Sequence, residues 1–329
     1  LIYELKSKPD TGLLIKENLA MEQFILENKS SQSVFKQKDQ YIIDNLTALF
    51  KKGLSPSTIN MYNYCKKQFY FEKILGINKN EDFENTIDKA KLGSIIHVVL
   101  QKLYEPYIGV YLDNQIMKKI KKLITTEIDL ALGYYGLENL DRGKNLLAVE
   151  AIKRIILNFI LHESALVSKG NKIMIEFLEY ETPLQNFPYS LGPDTTAQTT
   201  LKGQIDRIDV FNDYYRIIDY KTGYVKSQDL KTLNLEEIKS KPKILQLLLY
   251  AWLFSKESKI KNLPILTGVI NLRARNFDFQ KCSINKEYNI DASVLKDFEK
   301  ELAKIFQNMF DLKEDFEHSE KDGACRFCD

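Results

Sequence analysis

Apolar residues in the first half of the chain recur at the helical period, and in the second half they gather into short β-branched and aromatic runs. Residues 17–27 and 41–51 carry helical stretches inside a mixed, Lys-rich leader. Ser55-Pro56 marks a helix start, because the serine hydroxyl caps free N–H groups and the fixed φ of proline suits the first helical position. The helix predicted from there carries Tyr62, Tyr64, Cys65, Phe69, Tyr70 and Phe71. A second helix runs from Gly93-Ser94 to just before Pro106, and the proline-free stretch 113–168 is predicted helical throughout. Strands follow over 172–184, 199–211 and 214–221. Residues 242–254 form a helix that is apolar almost all round and so is expected to be buried. A strand over 265–272 and a helix over 292–310 precede a polar tail ending GACRFCD.

Helices, then strands, then helix and strand again define an α/β or α+β domain. Residues 1–50 are expected to be a helical linker remnant of a larger parent, and 51–329 the main domain, with 113–168 as a helical insertion. The chain opens LIYELKSKPD, without an initiator Met or a signal-peptide pattern, which fits a piece of a longer protein. With 44 % hydrophobic and 28 % charged residues, the composition excludes a disordered, collagenous or disulfide-dense chain. The longest apolar run, 244–254, is too short to span a bilayer and contains Gln246. Cys65, Cys282, Cys325 and Cys328 are too few and too uneven for a disulfide framework, so a reducing cytoplasm is expected. A net charge of +2 (47 Lys and Arg against 45 Asp and Glu) does not announce a nucleic-acid binder, although a local basic groove can coexist with an acidic pocket. No GxxxxGK[ST] loop is present, which argues against ATP hydrolysis through that fold.

The informative stretch is LKGQIDRIDVFNDYYRIIDYKTG, residues 201–223. Asn212-Asp213 is a two-residue hairpin turn, since both residue types tolerate positive φ. That turn fixes a register placing Asp206 across from Asp219 on one face, with Lys221 beside them, and Asp209 across from Arg216 on the other. The Asp209–Arg216 pair reads as an ordinary cross-strand ion pair, worth little if exposed. Facing carboxylates repel and raise each other's pKa unless a cation sits between them. Mg2+ or Mn2+, with their preference for oxygen, resolve that repulsion. The amine of Lys221 is then suited to orient or deprotonate a water, or to steady charge on a phosphoryl oxygen. A lone D-x-K on a solvated hairpin arises by chance, but Ile217 and Ile218 cover both faces before the acid and argue for a buried strand.

His97 lies in an apolar helix, as a satisfied core histidine or as a metal ligand completing the two aspartates. His162 and His318 have no comparable context. Gln246 and Tyr250 stand one helical turn apart, and a buried amide needs a partner, such as the lysine, a DNA phosphate or backbone. Cys325-x-x-Cys328 has metal-ligand spacing but no second pair nearby. Lys202, Arg207, Lys226 and Lys231 are candidates for backbone-phosphate contacts.

Taken in order, Leu54-Ser55-Pro56-Ser57 with Tyr64-Cys65 and Phe69, Gly93-x-x-x-His97, Gly203-x-Ile205-Asp206-Arg207-Ile208-Asp209, Asp219-Tyr220-Lys221-Thr222-Gly223 and Gln246-x-x-x-Tyr250 resemble the RecB-like nucleases of the PD-(D/E)XK superfamily. In particular, the chain resembles the C-terminal nuclease domain of AddB-type helicase–nuclease subunits. The resemblance implies a restriction-endonuclease-like α/β core with a central mixed sheet flanked by helices. It implies that His97, Asp206 and Asp219 ligate the divalent metal, with the Tyr220 carbonyl assisting, that Lys221 is the catalytic lysine, and that Gln246 and Tyr250 support the lysine and contact DNA. It also implies that Cys65, Cys325 and Cys328 are three of the four ligands of a 4Fe-4S cluster. Lys66 stands where that family has a proline, and Cys282 is not at a family position. The expected function is Mg2+- or Mn2+-dependent hydrolysis of DNA without sequence preference, beside a helicase subunit or helicase-like region, in double-strand break repair or recombination. The alternatives are a standalone RecB-like exonuclease of the CRISPR-associated type and a non-catalytic DNA-binding module on the same fold. Whether Glu176, Glu179 or Glu181 joins the site is left open by the sequence.

Overall fold

The computed structural model describes residues 38–77, 87–137, 140, 143–192, 195–257 and 260–316. By backbone packing the chain divides between Gln37 and Lys38, and all described residues fall in the second unit. Helix α1 (Gln40–Lys52) starts where the Asp39 carboxylate accepts from the Ile42 N–H, and it buries Ile42, Leu46 and Phe50. Residues 38–50, assigned by sequence to the leader, therefore share the main core. Helix α2 (Pro56–Tyr64) has the predicted Ser55 cap, with the hydroxyl accepting from the Thr58 N–H. The single helix expected to continue through Phe71 breaks at Cys65, whose backbone is extended at φ −153° and ψ 106°. The Cys65 thiol accepts from the Gln68 N–H and so starts α3 (Lys66–Phe69), which passes into a π-helical turn, Tyr70–Ile74.

Helix α4 (Lys89–Tyr104) begins about a turn before Gly93, because Asp88 supplies a cap to the Lys91 N–H. The continuous helix expected over 113–168 is two helices, α5 (Asn114–Tyr134) and α6 (Gly143–Ser168). Gly136, between the two helices, and Gly143, at the very start of α6, adopt φ of +60° and +63°, left-handed backbone that interrupts a right-handed helix.

The strands are β1 (Ile173–Glu181), β2 (Gln185–Gly192), β3 (Thr195–Leu201), β4 (Gln204–Phe211) and β5 (Tyr214–Lys221). Sequence periodicity merged β3 with β4 and missed β2. Chain pairing breaks at Lys202-Gly203, where β3 leaves for a two-stranded ribbon with β2 and β4 joins the main sheet. A short β6 (Lys231–Thr232), the apolar helix α7 (Pro242–Phe254), β7 (Ile265–Asn271), β8 (Phe279–Lys281), β9 (Ser283–Ile284) and α8 (Ala292–Phe310) complete the order. The bounds of β5, α7 and α8 are those the sequence predicts.

The main sheet runs β1-β4-β5-β7-β8, with β5 and β7 parallel and the remaining pairs antiparallel. Its two faces feed separate cores. Ile217 packs with α1, α7 and α8, while its neighbour Ile218 packs with α4, α5 and α6. Strand β5 is thus covered on both sides, as a central strand with a parallel neighbour should be. The sheet is pinched at Gly268, where an added Cβ would stand 2.3 Å from the Gln280 carbonyl oxygen. Backbone cannot yield as a side chain can, so Gly268→Ala is expected to cost about 1–3 kcal/mol in urea unfolding.

Candidate metal centre

The two-residue turn sets the β4–β5 register that the sequence implies. Phe211 pairs with Tyr214, Asp209 with Arg216 and Arg207 with Ile218, where the ladder ends. One residue further on, the Asp206 carboxylate enters the opening between the strands and accepts from the Tyr220 N–H at 2.6 Å. The side chain takes the place of a backbone acceptor, so Asp206 is anchored at the mouth of the sheet. Asp219, 3 % exposed, accepts from the Lys221 amine at 2.7–2.8 Å and from the Gln246 amide at 3.0 Å. The same amide nitrogen donates to the Tyr250 hydroxyl at 2.9 Å. Gln246 thus has a polar target on its buried helix, and the target is Asp219 rather than the lysine.

Helix α4 brings His97 to this mouth. Gly93, one turn earlier, passes close to the first residue after the lysine, since a Cβ there would lie 3.2 Å from the Thr222 hydroxyl. His97 Nδ1 stands 3.2 Å from Glu179 Oε1 and 3.6 Å from Asp206 Oδ1. His97, Glu179 and Asp206 each present a ligand atom within 4.8 Å of the others. Glu179 holds a left-handed backbone at φ +44°, unusual for a residue with a side chain. It lies opposite Asp206, between the pairs Leu178–Arg207 and Tyr180–Ile205, and its other oxygen accepts from Gln204.

Of the three glutamates the sequence left open, Glu179 is at the centre, Glu176 pairs with Lys261 and Glu181 is exposed. No sequence signal could single out Glu179. The β1–β4 register is not set by a tight turn, and the irregularity between Ile175 and Phe177 breaks parity counting. The expected metal set was His97, Asp206 and Asp219. The structure gathers His97 and Asp206 with Glu179, and holds Asp219 against Lys221 and Gln246, within electrostatic reach of His97 and Asp206.

Two further expectations are corrected by burial. Arg207 cannot meet a phosphate, because it is fully buried and holds Asp209 at 2.7 Å, Glu163 at 3.0 Å and the Tyr220 hydroxyl at 3.2 Å. The Asp209–Arg216 pair is no surface ion pair, since Asp209 is 0 % exposed and Arg216 binds both of its oxygens at 2.7 Å. Lys202 donates to the Lys52 carbonyl, and Lys226 and Lys231 are exposed. Cys325, Cys328 and His318 lie outside the described residues. Cys282 is buried, and burial pushes its thiol up to about 12.

Burial, with the Glu179 and Asp219 carboxylates beside it, lifts Asp206 to about 7 against the opposing pull of His97 and the Tyr220 N–H. Burial works against the His97 charge, but the Glu179 hydrogen bond and the surrounding acids prevail and raise it to about 9. Burial also raises Asp219, against the pull of Lys221. Both raised groups stabilise the metal-free fold below their unfolded values and lose that contribution as pH climbs through about 7 for Asp206 and about 9 for His97. Asp206→Asn is therefore expected to match the parent near pH 4 in EDTA and to exceed it by about 2–4 kcal/mol at pH 8. Thermal unfolding across that range measures the difference.

The three carboxylates of Glu179, Asp206 and Asp219 and the His97 imidazole form a donor set suited to a divalent cation with oxygen preference. The family described as the PD-(D/E)XK nuclease superfamily matches residues 53–329, and the chain belongs to it. A comparison with curated proteins finds no match.

Proposed function

We propose that the protein hydrolyses phosphodiester bonds of DNA with Mg2+ or Mn2+, without reading sequence. The observation that carries this reading is the convergence of His97, Glu179 and Asp206 on one point, with the Asp219–Lys221 pair at the end of the neighbouring strand. His97, Asp206 and Asp219 would hold the metal, with Glu179 as a further carboxylate. Bound there, it supplies Lewis-acid polarisation of a phosphoryl oxygen and a lowered pKa for a water.

The chain's own groups do the rest. Asp219 holds the Lys221 amine in one place, and Gln246 holds the Asp219 carboxylate from behind. Lys221 remains about one-third exposed, so it can meet an attacking water or the charge developing on the phosphate. The Tyr220 N–H orients Asp206, and Tyr250 fixes the Gln246 amide from the other side. The test is cleavage of linear single- and double-stranded DNA with Mg2+, with EDTA, and with Asp219→Ala. Cleavage in the first case alone supports the reading, and equal cleavage in EDTA removes it.

The finer placement follows the resemblance. It is a cytoplasmic nuclease domain working with a helicase subunit or helicase-like region in break repair. An iron–sulfur cluster on Cys65, Cys325 and Cys328 belongs to the same reading. Its structural support is the course of the chain toward its end. Phe316 stacks on Phe69 and Tyr70, and Glu314 pairs with Lys66, which brings that segment against the turn bearing buried Cys65. Visible absorbance, iron and acid-labile sulfide in anaerobically prepared protein, with and without Cys65→Ser, test it. None of the helices among the described residues is long and apolar enough to cross a membrane.

A further inference from the structure

We infer that Arg273 and Arg275 form a two-pronged phosphate clamp that holds the DNA backbone beside Lys221. This rests on the proposed nuclease reading and names residues outside every motif that pointed to it. Strand β7 runs parallel to β5 with Asn271 paired to Lys221, so both strands end at the same edge. The next residue, Leu272, donates its N–H to the Lys221 carbonyl at 2.8 Å, and the turn bearing the two arginines follows at once. That turn is built rather than loose. The Asn271 side chain accepts from the Arg273 N–H at 2.9 Å and its carbonyl from the Ala274 N–H at 3.1 Å, while Leu272 and Phe277 on either side are buried.

Arg273 and Arg275 are both exposed, and among the described residues neither has an ion-pair partner. Composition makes the pair more telling. Only seven of the 47 basic residues are arginine, and Arg207 and Arg216 are committed to buried carboxylates where a planar fork is needed. Lysine serves elsewhere on most of the surface. Two arginines at alternate positions, on a braced turn that follows the backbone partner of Lys221, offer the bidentate geometry that phosphate oxygens accept and an ammonium cannot reproduce. A free positive pair also offsets the acidic excess of the metal centre toward an anionic substrate.

The test is fluorescence anisotropy of a fluorescein-labelled single-stranded oligonucleotide in EDTA across a salt series, with cleavage in Mg2+ measured separately. Arg273→Gln/Arg275→Gln is expected to weaken binding at least tenfold. It should also lower the slope of log affinity against log salt by about 1.4, at about 0.7 per lost single-strand phosphate contact. In cleavage, KM should rise with kcat within about twofold. Arg273→Lys/Arg275→Lys should keep the slope and lose part of the affinity, because charge remains and the fork does not. Lys296→Gln/Lys300→Gln, on α8, where Lys296 lines a cleft with Ile265 at the opposite end of β7, removes the same charge and should leave the slope unchanged. An unchanged slope in the arginine-to-glutamine variant, or an equal loss in the α8 variant, overturns the clamp whatever the cleavage assay gives. Absence of Mg2+-dependent cleavage in the unmodified protein would instead sink the nuclease reading.

Discussion

Replacing Lys221 with alanine is expected to slow Mg2+-dependent DNA cleavage by about 10²–10³-fold, the loss typical of one preorganised charge-stabilising group. The expectation follows from how firmly the amine is held. Asp219 accepts from it with both oxygens, at 2.7 and 2.8 Å, and Gln246 and Tyr250 fix that carboxylate in turn. The geometry is therefore prepared before substrate arrives, and its loss should fall on the chemical step. Single-turnover rates read that step directly. Lys221→Arg should not restore it, because the guanidinium is planar and longer and does not deprotonate. Removing the lysine also removes the cation that holds Asp219 down, so the remaining activity should need a higher pH. A Lys221→Ala protein with parental single-turnover rates would exclude the amine from the reaction.

The second large effect is on stability. Asp209→Ala is expected to cost about 3–5 kcal/mol in urea unfolding, the price of leaving buried charge without its partner. Asp209 is gripped by Arg207 and Arg216, both essentially without access to water, and Arg207 reaches on to Glu163 of α6 and Tyr220 of β5. Glu163 also accepts from the Tyr104 hydroxyl of α4. The network thus ties α4 and α6 to the sheet at Arg207, next to Asp206, and at Tyr220. The two arginines hold Asp209 below the usual carboxylate range in spite of its burial. Its contribution is therefore present above the ordinary carboxylate value and is lost as pH falls through the depressed one. A loss below about 1 kcal/mol would mean that the arginines find water that the packing denies them.

What the sequence made legible depended on how local each determinant is. The Asn212-Asp213 turn dictates the β4–β5 register, so the pairing that runs to Arg207–Ile218 and leaves Asp206 and Asp219 next in line at its end could be read from spacing alone. Helices α7 and α8 have dense apolar patterning and clear starts, and their bounds were readable. The breaks at Cys65 and at Gly136 and Gly143 were not, because helical periodicity runs straight through them. Glu179 was hidden for a different reason. Its place opposite Asp206 depends on a long-range pairing across the intervening β2–β3 ribbon and on a left-handed backbone that no pattern announces. Burial misled in the same way, since Arg207 looks like a surface charge until Glu163 arrives from α6, and Arg216 until the Phe211 and Phe279 rings lie against it. The turn that carries Arg273 and Arg275 follows directly on the backbone partner of Lys221 only because β5 and β7 run parallel.

The most direct check of the central claim is calorimetric titration of the metal-free protein with Mn2+, beside His97→Ala, Glu179→Gln and Asp206→Asn. The account predicts saturable binding by the parent, at least tenfold weaker binding in the Asp206 and His97 variants, and proton release that grows as pH falls toward 7, where Asp206 and His97 hold protons. Binding that is unchanged in both Asp206→Asn and His97→Ala, or absent from the parent, would contradict a metal centre at this end of the sheet.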